Sequence, residues 1–272
     1  MAPLIYRQSA WTRATHWIWA ICLFFLLFSG LQIFNAHPTL YIGQQSGFVY
    51  DNSVLRIDAV RSDAGPRGRM VLLGTEFDTT GVLGVSGPTE RPRFQAFPGA
   101  VTIPSYRDLA TGRLVHFFFA WIFVATLAIW LVAGMVNGHI RRDLLPTGTE
   151  LRSLPRDVLD HARFRFHHGR HYNPLQKLSY FGVLFVLFPL IVLTGLAMSP
   201  GMNAAWPWLL DIFAGRQTAR TLHFGVMLLL VLFFTVHILM VVAAGPVNEL
   251  RSMITGWYRA SPEAGPRAEV KS

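Results

Sequence analysis

The chain has 272 residues, 52% of them hydrophobic and only 14% charged, about half the charge of an ordinary soluble domain. With a mean hydropathy of +0.37, this composition excludes bulk disorder and leaves too little charge to cover two soluble domains. The single cysteine, Cys22, excludes a disulfide framework, cysteine-ligated iron–sulfur clusters and C-x-x-C-H haem attachment, and although the formal charge is +9, the long apolar runs argue against nucleic acid as a partner.

A membrane-spanning helix needs about 20 mostly apolar residues, and four stretches qualify. Trp17–Ala36 is the first; it is longer than the roughly 7–15 residues of a signal-peptide core, so it is read as a retained helix. His37–Gly112 is too long for a plain connector. Gly, Pro, Asp and Asn divide it into strand-like pieces, Gly47–Arg56, Met70–Phe77 and Arg91–Ala100, which predict a small irregular cap, with a floppy insertion as the alternative. His116–Val136 is the second span and Leu178–Met198 the third, with Pro189 expected to kink it. Thr221–Ala244 is the fourth, and the polar Ala260–Ser272, with two prolines, reads as a disordered tail.

Loop charge sets the orientation. The N-terminal Met1–Thr15 has Arg7 and Arg13 and no acid, and Asn137–Gln176 has seven arginines against four acids. His37–Gly112 balances seven arginines with seven acids, and Ser199–Gly215 has one acid and no base. The positive-inside rule therefore puts both termini and Asn137–Gln176 in the cytoplasm, and His37–Gly112 outside.

Histidine inside a span is costly and usually functional. His16, His116, His223 and His237 lie in or at the spans, and the last two are fourteen residues apart on one helix. Fourteen residues is nearly four turns, so both project from one face, about 21 Å apart along the axis. With the helix directions given by the topology, His16 and His237 meet near the cytoplasmic side, and His116 and His223 near the outer side. Two pairs at two depths suit two bis-histidine b-type haems.

Arg13, Arg113 and Arg220 each precede one of these histidines by three residues. They sit on the histidine's helix face one turn nearer the water, where a guanidinium can clamp a haem propionate; interfacial anchors whose stems snorkel are the alternative. Gly30, Gly134, Gly182, Gly195 and Gly225 either make room for the macrocycle or are ordinary membrane-helix glycines. Zinc or copper sites usually add carboxylates or thiolates, and a proton-coupled transporter needs buried acids or histidine relays. The spans contain no Asp or Glu. Four unconnected histidines in a plain anchor remain the bland alternative.

The chain resembles the bacterial cytochrome b561 superfamily, which includes the b-type cytochromes of nickel hydrogenases and formate dehydrogenases, with its nearest likeness in thiosulfate-reductase-type cytochrome b subunits. The resemblance spans about Arg7–Tyr258. It is carried by Thr15-His16-Trp17, Ser29-Gly30-Leu31-Gln32-Ile33-Phe34-Asn35-Ala36-His37-Pro38, Thr102-Ile103-Pro104-Ser105-Tyr106, Gly112-Arg113 through His116 to Phe118-Phe119-Ala120-Trp121, Tyr172-Asn173-Pro174-Leu175-Gln176-Lys177, and the His223 and His237 pair. It implies an all-α, four-helix membrane bundle holding two b haems through the same histidine pairs. It also implies a subunit that exchanges electrons with membrane quinone and with a partner oxidoreductase on the outer face, often of molybdopterin type.

The expected organisation is a single di-haem domain over residues 1–258, with spans near 15–36, 110–138, 176–198 and 218–244, an extracytoplasmic cap at 37–109, and a tail at 259–272. The expected setting is the bacterial inner membrane. A quinone needs an apolar slot with a few polar groups, and His139, Asn173 and Gln176 offer these on the cytoplasmic side beside the His16/His237 pair. Lys177 pairs with a propionate or joins that slot. His37, just beyond the first helix, reads as a helix-end polar residue, and His161, His167, His168 and His171 as solvated loop histidines. The rival function is a stand-alone membrane oxidoreductase whose outer haem reacts directly with superoxide or a ferric chelate; an ordered cap favours the partner platform.

Overall fold

The computed structural model describes residues 4–63, 65–88, 90–138, 140, 148, 152 and 174–259. In chain order the elements are β1 (Leu4–Tyr6), α1 (Ala10–Phe34), β2 (Thr39–Tyr41), β3 (Ser53–Ser62), β4 (Gly65–Leu72), β5 (Thr75–Asp78), β6 (Gly84–Ser86), β7 (Arg93–Gln95) and α2 (Leu109–Val136). Then come α3 (Pro174–Phe181), a π-helical turn (Gly182–Leu187), α4 (Phe188–Met198), the short α5 (Pro200–Ala205) and α6 (Trp208–Ile212), α7 (Arg216–Ala244), α8 (Pro246–Thr255) and β8 (Trp257–Arg259). Among the described residues four helices are long and apolar enough to cross a membrane: Ala10–Phe34, Leu109–Val136, Leu175–Met198 and Arg216–Ala244. The chain is a multi-pass membrane protein. Residues 260–272, expected to be a disordered tail, lie outside the described residues.

Pro189 acts through the turn before it. Proline has no N–H to give the carbonyl four residues back, and its ring crowds that carbonyl. The Phe188 N–H donates to the Val183 carbonyl, an i→i−5 bond, and the helix widens into a π-turn just ahead of the proline.

The described residues form two compact units. The first takes those of Met1–Trp19, Thr126–Phe188 and Leu229–Ser272. Trp19 is its hub: its Nε1–H donates to Thr126 Oγ1 at 3.1 Å, and its ring packs edge-on to Trp130 and Phe188 at 5.6 and 5.7 Å. β1 and β8 pair antiparallel, Ile5 opposite Tyr258. Arg7 reinforces this pair, with its guanidinium over the Tyr258 ring at 4.8 Å and 3.5 Å from the Glu249 carboxylate. α8 follows the fourth span after Gly245, whose φ of 103° breaks the helix.

The second unit takes Ala20–Ala125 and Pro189–Leu228. Here the irregular cap expected from the sequence is corrected: β2–β3–β4–β5 form a four-stranded antiparallel sheet, and β6–β7 a second ribbon. The expected piece Met70–Phe77 is a hairpin whose turn residues Leu73 and Gly74 both have positive φ, as a two-residue turn matching strand twist requires. Part of the segment's balanced charge is paired within the sheet. Asp58 and Arg69 face each other on β3 and β4 in a two-pronged pair at 2.9 and 2.7 Å, and Arg67 bonds Glu76 and lies 3.8 Å from Asp78. β6 crosses this sheet so closely that a Cβ on Gly84 would lie 2.2 Å from the Asp58 carbonyl. Leu40, Leu55, Ile57 and Ala96 pack on Phe34 at the end of α1, with Phe97 and Phe224 beside them.

Side chains of the spans tie this segment down. The Asn35 amide accepts from the Phe97 N–H at 2.7 Å and donates to the Phe97 carbonyl at 3.0 Å, and the Gln32 amide donates to the Tyr106 carbonyl. From α7, Thr218 Oγ1 accepts from the Gly43 N–H at 2.7 Å and Thr221 donates to the Tyr41 carbonyl at 2.7 Å. Asp108 caps α2, accepting from the Thr111 hydroxyl at 2.7 Å and the Thr111 N–H at 3.1 Å. These bonds, the hydroxyl's first, hold its carboxyl below the usual range. A lowered native pKa gives stability that is complete above the unfolded carboxylate's pKa and is lost as pH falls through the native value. Asp108→Ala is therefore expected to lower the melting temperature modestly at pH 7, and the gap to wild type should close in melts at strongly acidic pH.

Candidate metal centres

α1 carries His16 and α7 carries His237 in the first unit; α2 carries His116 and α7 carries His223 in the second. The His16 and His237 ring centres are 6.3 Å apart with planes 53° apart, and those of His116 and His223 are 6.4 Å apart with planes 58° apart. An imidazole nitrogen sits about 2 Å from a bound metal and about 1 Å from its own ring centre. Two rings on opposite sides of one metal therefore have centres about 6 Å apart, and both pairs match. Among the described residues no three or more His, Cys, Asp or Glu cluster as a metal site, so neither pair has the extra carboxylate or thiolate that zinc or copper sites usually add.

The second pair has a built surround. His116 Nδ1 lies 3.1 Å from Ser29 Oγ, and His223 Nδ1 lies 3.0 Å from Thr194 Oγ1. Each hydroxyl precedes a glycine that faces the same imidazole: a Cβ on Gly30 would meet His116 Cε1 at 3.4 Å, and one on Gly195 would meet His223 Cε1 at 3.4 Å. The sequence reading noted the glycines but missed the hydroxyls. The signal was present as two hydroxyl–glycine steps, Ser29-Gly30 and Thr194-Gly195, inside spans. Of the other expected glycines, Gly134 faces Ile140, and Gly182 and Gly225 face open space.

The unit that holds the first pair also holds buried polar atoms that want partners. Arg13 Nε, His16 Nδ1, Arg251 Nε and Ser252 Oγ are buried without a hydrogen bond among the described residues. α1 and α8 are joined here, with Arg13 Nη1 donating to the Ile254 carbonyl and Trp17 Nε1 donating to the Met253 carbonyl at 3.0 Å. Buried unsatisfied donors are costly, and the carboxylates of a haem would satisfy guanidinium and hydroxyl donors of this kind. A b-type haem thus fits both the ring spacing and the donor set. Arg251 and Ser252 were not legible in the sequence, because they lie beyond the last span and outside the R-x-x-H spacing.

The three R-x-x-H arginines serve differently. Arg113 is exposed, its guanidinium 5.7 Å from the Phe117 ring centre. Arg220 donates to the Thr39 carbonyl at 3.1 Å and to the His37 carbonyl, anchoring the start of the sheet segment. His37 stacks on Tyr41 at 5.7 Å just past α1. Lys177 is buried and Gln176 half-buried on α3, in the first unit. His139 and Asn173, and the loop histidines His161, His167, His168 and His171, lie outside the described residues.

No solved structure matches the chain. A relative from Azospira oryzae, named putative protein-methionine-sulfoxide reductase subunit YedZ1, is 24% identical over 244 residues, covering 89% of this chain and 93% of the relative. The family profile of prokaryotic cytochrome b561 matches residues 7–256. Four apolar helices, facing histidines on three of them, and a family match over nearly the whole chain agree: the chain belongs to the prokaryotic cytochrome b561 family, whose members bind b-type haem.

Proposed function

We propose that this chain is a di-haem cytochrome b subunit that carries electrons between the membrane quinone pool and a partner oxidoreductase at the outer face of the bacterial inner membrane. The observation that carries the reading is the recurrence of one geometry, two imidazole pairs with centres 6.3 and 6.4 Å apart. Bound b haem supplies a one-electron couple at its iron. The chain's residues would bind and orient it: His16 with His237 and His116 with His223 would hold the iron, while Arg13 and Arg113 would offer guanidinium groups to propionates, joined by Arg251 and Ser252 in the first unit. Lys177 is a further propionate partner. Arg220 serves mainly to fasten the sheet segment.

The relative's name is that of a reductase subunit, which supports a partner that completes the chemistry, of molybdopterin type by the family resemblance. Loop charge supports cytoplasmic termini and an outward sheet segment. The described part of that segment forms a sheet and a ribbon and shows Phe48, Val49 and Tyr50 at 90, 84 and 63% exposure, the kind of apolar tip that protein interfaces cover.

Quinone is assigned to His139, Asn173 and Gln176, with Lys177 adjacent; Gln176 and Lys177 fall in the same unit as His16 and His237. In purified holoprotein, His139→Ala with Gln176→Ala should slow haem reduction by a short-chain quinol about tenfold, the effect of two lost hydrogen bonds of about 0.7 kcal/mol each, with both haems retained. An unchanged rate overturns the quinone placement, and a wild-type protein that quinol cannot reduce overturns the quinone function itself.

A further inference from the structure

We infer that Ser29 and Thr194 are positioning residues: they hold the Nδ1 protons of His116 and His223, present both Nε2 lone pairs to one metal, and lower the reduction potential of that centre alone. The inference rests on the di-haem reading and says which of the two centres is tuned.

Both hydroxyls are fully buried. Each has one proton, and each has a nearer use for it. Ser29 donates to the Phe25 carbonyl at 2.6 Å, and Thr194 to the Leu190 carbonyl at 2.7 Å, both four residues back on the same helix. What remains for the imidazole is an oxygen lone pair. The ring nitrogen at 3.1 or 3.0 Å must then be the donor, so Nδ1 keeps the proton and Nε2 is the free ligand nitrogen. A backbone acceptor backs each hydroxyl, Leu26 for His116 and Ile191 for His223. Each of these carbonyls lies four residues before the glycine, and a residue without Cβ lets the ring come against the helix there.

The duplication argues against chance. Two hydroxyl–glycine steps, one in the first span and one in the third, hold the two histidines of one pair in the same way. At the other pair the arrangement is absent: His16 Nδ1 is buried with no partner among the described residues, and His237 is flanked by an apolar ring, Phe233, stacked at 5.9 Å. An acceptor on the distal N–H raises the basicity of an imidazole ligand. A more basic ligand favours the oxidised metal, so the His116/His223 centre is pulled to lower potential.

The test is a spectroelectrochemical titration of the purified holoprotein in lipid nanodiscs, with haem content measured on the same samples. Ser29→Ala and Thr194→Ala should each raise the potential of one haem, the double variant should raise it further, and the second haem should stay put at an unchanged ratio of two haems per chain. Ser29→Thr and Thr194→Ser restore a hydroxyl and should return the wild-type value. Ser29→Cys, of similar size but a weak acceptor, should raise the potential if the alanine variant does not retain haem. Potentials that do not move, or that move together, overturn the inference with the di-haem reading intact. A wild-type protein without two bis-histidine haems overturns the di-haem reading first.

Discussion

Replacing His116 or His223 by alanine is expected to remove one b-type haem and leave the second, while replacing His16 or His237 removes the second and leaves the first. The expectation follows from the pairing of rings across helices at 6.3 and 6.4 Å. Each variant would leave a metal with one imidazole ligand in place of two. Within a pair the two variants should give the same reduced-minus-oxidised difference spectrum; between pairs the spectra should be complementary. Haem-to-protein ratios should fall from two to one in all four. His37→Ala is the control, since His37 stacks on Tyr41 outside both pairs, and should retain two haems. Full retention in all four variants, or loss of the same haem in all four, contradicts the paired-ligand reading.

The largest effect on stability is expected from Asn35→Leu. Asn35 is 2% exposed and satisfies both the N–H and the carbonyl of Phe97. Leucine fills a similar volume but leaves both backbone groups buried without partners, at about 1–3 kcal/mol each, so the loss should be about 2–6 kcal/mol. Melts of the holoprotein in detergent should show a clear drop in Tm, and limited proteolysis should cut within the sheet segment first, because Phe97 lies where that segment packs on α1. Asn35→Asp keeps the acceptor and loses the donors, and should fall between the two. An unchanged Tm in Asn35→Leu would mean that Phe97 finds other partners. The haem ratio should stay at two, which separates this fastening role from ligation.

The spans and their histidines were legible because the signals are local or nearly so. A run of apolar side chains answers to the thickness of the bilayer, whatever the neighbours do. The meeting of His16 with His237 and of His116 with His223 followed from helix direction plus the fourteen-residue spacing, since a helix has only one way to project residues nearly four turns apart. The family resemblance was likewise carried by residues whose roles now have physical reasons: Gln32 and Asn35 fasten the segment after α1, and Ser29 and Gly30 receive the His116 ring.

Other features were decided only by contacts between residues distant in the chain. The cap was expected to be irregular because Gly, Pro, Asp and Asn punctuate its strand-like pieces; that these pieces join into one sheet depends on cross-strand contacts, such as the bond between Asp58 and Arg69 at paired positions of β3 and β4. The π-turn before Pro189 was not legible in the proline itself, because a helix can relieve a proline in more than one way. Ser29 and Thr194 are unremarkable in sequence, since a hydroxyl in a membrane helix can satisfy itself on its own backbone. That each also offers a lone pair to an imidazole depends on a second helix lying against it. Apolar length and helical period are properties of one segment and are written in its residues; strand register, tautomer and the partner of a buried donor are properties of two segments in contact, and exist only once the chain has packed.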